Sequence, residues 1–171
     1  SSSLVKQVSE ANTSSEKSSL LLFDYDQSKK TKFKDSLRIL AAWSPYIILL
    51  YPGVLYWDTG DQVAQFFGIS AFGQKPGKIW DHHPFFDGGF IWLGRAITGS
   101  YNVGIFLYAI AQCIFVAVVL ACWLSYLKER GVGRLSLKIC TMFFCFFPIF
   151  PIAFMSLSKD ITHAAFFIAW L

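Results

Sequence analysis

The sequence predicts an all-α integral membrane protein, a multi-span helical bundle with interfacial helices in its first outer loop. Three observations carry that prediction. Hydrophobic residues make up 54% of the chain and charged residues only 15%, where a soluble domain holds about a quarter charged residues. Mean hydropathy is +0.46. The charges bunch between apolar runs of about the twenty residues that a hydrocarbon core requires.

Residues 1–36 read as a disordered cytoplasmic tail ending in a basic juxtamembrane cluster. Ser, Glu, Lys, Asn and Gln dominate positions 1–28, which leaves too little apolar surface to offset the entropy of ordering. "LLLFDYD" (20–26) is a short exception, and "KKTKFKDSLR" (29–38) is the basic cluster. From residue 37 to 171 the chain reads as the N-terminal part of a transmembrane domain. Its first span is expected over 37–57, bent at Pro45 and Pro52, with Tyr51, Tyr56 and Trp57 as an aromatic belt. No cleavage-site pattern follows this run, so it is expected to remain as a span.

Residues 58–100 are too polar to cross and form the outer loop. Thr59 and Gln62 have the spacing of a helix start, and Val63, Phe66 and Phe67 give that helix an apolar face. His83 is placed to cap a second helix with Pro84 at its first position, where a missing N–H costs nothing. Phe86, Phe90, Leu93 and Ile97 fall on one stripe at helical spacing. The segment is too short to cross, so it is expected in the membrane interface. Further spans are expected over 101–127, over 135–157 with interruptions at Pro148 and Pro151, and from 161 through 171 onward. An end at "AAFFIAWL" would fall inside an apolar run and strand backbone groups in hydrocarbon, so the chain is expected to be part of a longer protein.

Orientation follows from Lys and Arg in short loops. Lys29, Lys30, Lys32, Lys34 and Arg38 flank the first span, and Lys128, Arg130 and Arg134 fill the turn "KERGVGR". Both belong on the cytoplasmic side, with the N-terminus. The 58–100 loop and the Lys159–Asp160 turn then share the extracytoplasmic face. The net charge of +4 comes from these clusters, so it is no footprint for nucleic acid. Cys113, Cys122, Cys140 and Cys145 lie in apolar runs without metal-type spacing and read as buried hydrophobes.

The outer face gathers Asp58, Asp61, Asp81, His82, His83, Asp87, Lys159 and Asp160, with His163 one turn further. Ionisable groups near the bilayer boundary are expensive and usually serve a pathway or a site. Simpler roles compete. Asp58 makes a good N-cap, and Asp61 suits the first-turn dipole of the same helix. His82 and His83, as neighbours, point apart on a helix. Lys159–Asp160 can be an ordinary loop pair. Phe143, Phe144, Phe146 and Phe147 are lipid-facing or packing bulk. Asp87 precedes Gly88 and Gly89, which suit a close helix approach.

"YPG" with "WDTGDQ" after the first span, "DHHP" before the second loop helix and "SKD" ahead of the fourth span together resemble the GT-C membrane glycosyltransferases. More narrowly, they resemble a bacterial branch with a YPG–D–Q, HHP and KD pattern. The likeness runs over about residues 37–171. It implies sugar transfer, with inversion, from a polyprenyl-phosphate or diphosphate donor to a glycan, lipid or protein acceptor on the outer face of the cell membrane. By position it implies Asp58 as the catalytic carboxylate, Asp61, His82, His83 and Lys159 in substrate binding, and Asp160 as ligand to a divalent cation, Mg or Mn, which some members use and others lack. The sequence departs from the pattern in having no Asp-Glu pair after the first span, the second carboxylate standing at Asp61. Two alternatives remain: a transporter or flippase for a lipid-linked or ionic substrate, which should place charges at the midplane, and a non-enzymatic membrane assembly subunit.

Overall fold

The computed structural model describes residues 29–69 and 84–170. Its regular backbone is helical: no strand occurs among the described residues, only an isolated bridge between Val54 and Ser156. The helices follow in order as α1 Lys29–Leu49, α2 Trp57–Phe66, α3 Pro84–Thr98, α4 Tyr101–Glu129, α5 Arg134–Phe146, α6 Ile149–Phe154 and α7 Lys159–Trp170.

Helix α4 is the axis. It has no charged residue before Lys128 and is the one described helix long and apolar enough to cross a membrane. Its buried positions run from Gly104 to Ser125, so α1, α3 and α7 all pack on it. Helix α5, with 13 residues, is shorter than the roughly twenty that a perpendicular span needs, and α7 continues to the last described residue.

Helix α1 begins at Lys29, inside the stretch expected as tail, and stops at Leu49, before the expected span end at Trp57. Hydropathy marks the apolar part of a helix, and lysines extend one readily. At the other end Pro52 disfavours helical geometry at Tyr51, and residues 51–56 connect without helix. Tyr51 meets Phe106 with ring centroids 5.2 Å apart, near the start of α4. Helices α1 and α4 are therefore antiparallel.

Helix α3 folds back along α4. Gly99 closes the turn at φ +77°, a left-handed position suited to glycine, and its N–H donates to Arg95 O at 2.7 Å. The apolar stripe expected in the membrane interface turns mostly outward, with Phe90 half-buried against the core. Leu93 and Ile97 are exposed, while Gly88, Ile91 and Gly94 are buried. A Cβ on Gly94 would stand 2.2 Å from Gly104 N, and one on Gly104 would stand 2.4 Å from Ile91 Cα. The two backbones touch, which a stripe of large side chains prevents.

Helices α5 and α6 are separated at Phe147 and Pro148, the interruption expected from the prolines. Pro148 has no N–H for Phe144 O, four residues back. The fully buried Trp43 replaces it, its indole N–H donating to Phe144 O at 3.1 Å. Of the cysteines, Cys113 and Cys145 are buried and Cys140 is half-buried, but Cys122 is exposed in an open groove between α4 and the last turn of α7.

Candidate functional site

Two connections meet beside α4. Val54, between α1 and α2, donates its N–H to Met155 O at 2.9 Å and accepts from Leu157 N–H at 3.0 Å. The approach needs Gly53, at φ +143°, where a Cβ would crowd Ile105, Leu157 and Met155 O, each at 3.2 Å. Thr59 adds a second tie. Helix α2 starts at Trp57, so Thr59 lies within its first turn. Its buried hydroxyl leaves the helix and donates to Leu157 O. The spacing to Gln62 suggested a cap, whereas the hydroxyl serves a tertiary contact.

Gln112, buried on α4, completes the junction. Its carboxamide N–H2 donates to Phe154 O at 3.0 Å and Ser156 O at 2.7 Å, carbonyls left over where α6 ends. Its Oε1 accepts from the Thr162 hydroxyl at 3.1 Å. One side chain thereby fixes the end of α6, the 155–158 turn and the first turn of α7.

This junction carries the described candidate residues. Asp58 precedes Thr59 in the first turn of α2, and half-buried Asp61 follows one residue after Gly60. Half-buried Lys159 and exposed Asp160 open α7, where the Asp160 N–H donates to Ser158 Oγ at 3.3 Å. The Thr59–Leu157 bond thus joins the 58–61 and 159–160 segments, separated by about a hundred residues of chain. His163 is exposed one turn into α7. Asp81, His82 and His83 lie outside the described residues, and Asp87 is described only as part of α3. Sequence reasoning missed Thr59, Gln112 and Ser156 as the parts that bind the junction. A Gln alone in an apolar helix was the one available signal, since a buried carboxamide must find partners.

Among the described residues, no three His, Cys, Asp or Glu side chains converge as a metal site. Next to the junction lies a cleft of about 250 Å³ lined by Phe90, Tyr108, Gln112, Phe115, Thr162 and Phe166, with Ala111. Phe115 and Phe166 meet at 4.8 Å between centroids, and Phe90 meets Tyr108 edge-on at 5.6 Å. Gln112 and Thr162 bond each other at its margin, so the cleft presents an aromatic, apolar wall.

No curated protein and no solved structure matches this chain. The model of one family, described as a family of unknown function (DUF6020), matches residues 74–171. The match takes in α3 through α7, including Gln112 and the Lys159–Asp160 turn, and spans more than half of the sequence; the chain belongs to DUF6020.

Proposed function

We propose that this chain contributes to a membrane glycosyltransferase that moves a sugar from a polyprenyl-phosphate or diphosphate donor to an acceptor at the extracytoplasmic face. The observation that supports the reading is the junction of the α1–α2 and α6–α7 connections. Two acids and a lysine–acid pair are tied to one locus, at the opposite end of α1 from its lysine cluster. Large apolar side chains exposed on α1, α5 and α7, such as Ile48, Leu135, Ile139 and Phe167, favour hydrocarbon as the surroundings, with α1, α5–α6 and α7 joining α4 as multi-pass spans.

In this reading Asp58 takes the acceptor hydroxyl proton as the new glycosidic bond forms. It acts on the sugar face opposite the departing phosphate, as the base of an inverting glycosidase does. The Lys159 ammonium, with His82 and His83, offsets negative charge on that phosphate. Asp61 holds sugar hydroxyls. The apolar cleft beside Gln112 suits the hydrocarbon part of the donor. For a divalent cation at Asp160, no group of three His, Cys, Asp or Glu side chains forms among the described residues, and no step is routed through a metal.

Transport is the second reading, favoured by the break between α5 and α6. A transporter's broken helix offers unsatisfied backbone groups to its substrate. Here Trp43 occupies Phe144 O at the break, and the buried charged side chain among the described residues, Asp35, sits near the other end of α1. Glycosyl transfer is the better fit. The test is Asp58→Asn in membranes given a radiolabelled polyprenyl-phosphate sugar. Transfer should fall by roughly 10²–10⁴-fold at unchanged protein level; a normal rate in the variant refutes the assignment.

A further inference from the structure

The opposite end of the bundle carries a second chemistry. Helices α1 and α5 both run antiparallel to α4, since α5 follows α4 through a short turn and Trp123 meets Phe144 at 6.2 Å between centroids. They are therefore parallel to each other, and the Trp43–Phe144 bond sets their register. Counting back at equal rise per residue brings Lys34 level with Leu135 and Arg38 level with Ile139. Each helix shows the same pattern at this level. On α1 the exposed Lys34 and Arg38 form a column one turn apart, beside Phe33 (64% exposed) and Leu37 (49%). On α5 exposed Arg134 and Lys138 form a column beside Leu135 (72%) and Ile139 (60%). Lys128 and Arg130 add charge from the α4–α5 turn, where the Arg130 guanidinium lies 4.9 Å above the Tyr126 ring. The described acids at this end are Glu129 and Asp35, and the buried Asp35 carboxylate accepts from Arg38 at 2.8 Å.

We infer that the paired cation and apolar columns of α1 and α5 form a binding surface for an anionic phospholipid, its phosphate against Lys34 and Lys138 and its acyl chains along Phe33, Leu37, Leu135 and Ile139. Charge alone would suit any polyanion. The adjoining apolar columns select a ligand that is anionic at one end and hydrocarbon at the other. The inference is separate from the proposed transferase chemistry and rests only on the reading of α1, α4 and α5–α6 as membrane-spanning.

The test uses the whole chain in phosphatidylcholine bilayers doped with spin-labelled phosphatidylglycerol or spin-labelled phosphatidylcholine. Electron paramagnetic resonance reads the share of each lipid immobilised by the protein. Phosphatidylglycerol should be selected by roughly fivefold per engaged cation. The preference should fall toward parity in the Lys34→Gln, Lys138→Gln double variant and, for the unaltered chain, in about 0.5 M salt. Parity in the unaltered chain at low salt overturns the inference. So does an undiminished preference in a double variant whose circular dichroism is unchanged. Displacement by millimolar inorganic phosphate overturns it too, by pointing to a free anion as ligand. A chain that does not enter bilayers at all overturns the membrane reading along with it.

Discussion

Helix α4 is packed in two different ways on its two flanks. Against α3 the backbones meet at Gly94 and Gly104, which leave no room for even a methyl group, with the Phe90–Tyr108 ring contact beside that crossing. Against α7 the contact is made by aromatic rings and by the Gln112–Thr162 bond, and a cleft of about 250 Å³ stays open between them. Backbone contact fixes the distance between helices in one way only. A contact through large side chains leaves several ways to repack, so this flank should yield more readily. The difference assigns rigidity to the α3–α4 hairpin and adaptability to the α4–α7 side.

Substitutions that ignore the difference would break the comparison. The largest effect belongs to Gly104→Leu, which must separate α3 from α4; a loss of more than about 4 kcal/mol should appear as failure to recover folded protein by size exclusion in detergent. Next is Gln112→Leu, which removes the carboxamide donor from Phe154 O and Ser156 O and leaves them the Cys113 thiol and the Ser158 N–H, a loss of about 1–3 kcal/mol in all. Hydrogen exchange should show it locally, with the Val54 and Leu157 amides losing protection while the α3 amides keep theirs. The smallest is Phe166→Ala, expected to cost about 1 kcal/mol in thermal unfolding, well below the ~3–5 kcal/mol of a buried phenylalanine. If Phe166→Ala proved as damaging as Gly104→Leu, the two flanks would be equivalent and the contrast would fail.

Much of this fold was legible because it depends on local rules. Pro84 opens α3 at the expected position, and the prolines after Phe146 end α5. The beginning of α1 was not legible, because hydropathy is blind to lysines that continue a helix. The close approach of α3 was legible only in part: Gly88 and Gly89 suit it, while the contact itself is made at Gly94 and Gly104, which carry no hydropathy signal. The candidate site divides similarly. Asp58, Asp61, Lys159 and Asp160 stand out as charges at the ends of apolar runs. That Thr59 would reach Leu157 depends on a contact across about a hundred residues of chain, and no local pattern encodes it. His82 and His83 stay at the level of the sequence reading.

The positions of Gly104 and Gln112 on one uninterrupted helix have a consequence for how this chain can vary in length. The two residues are eight apart, roughly 12 Å along the axis, and each must face a different neighbour at a fixed angle. Inserting or deleting a single residue between them rotates one relative to the other by about 100°. Either α3 or the 155–158 turn would then lose its counterpart. Length changes among related chains should therefore be absent between Gly104 and Gln112 and gather in the turn around Gly131, where added residues disturb no such alignment.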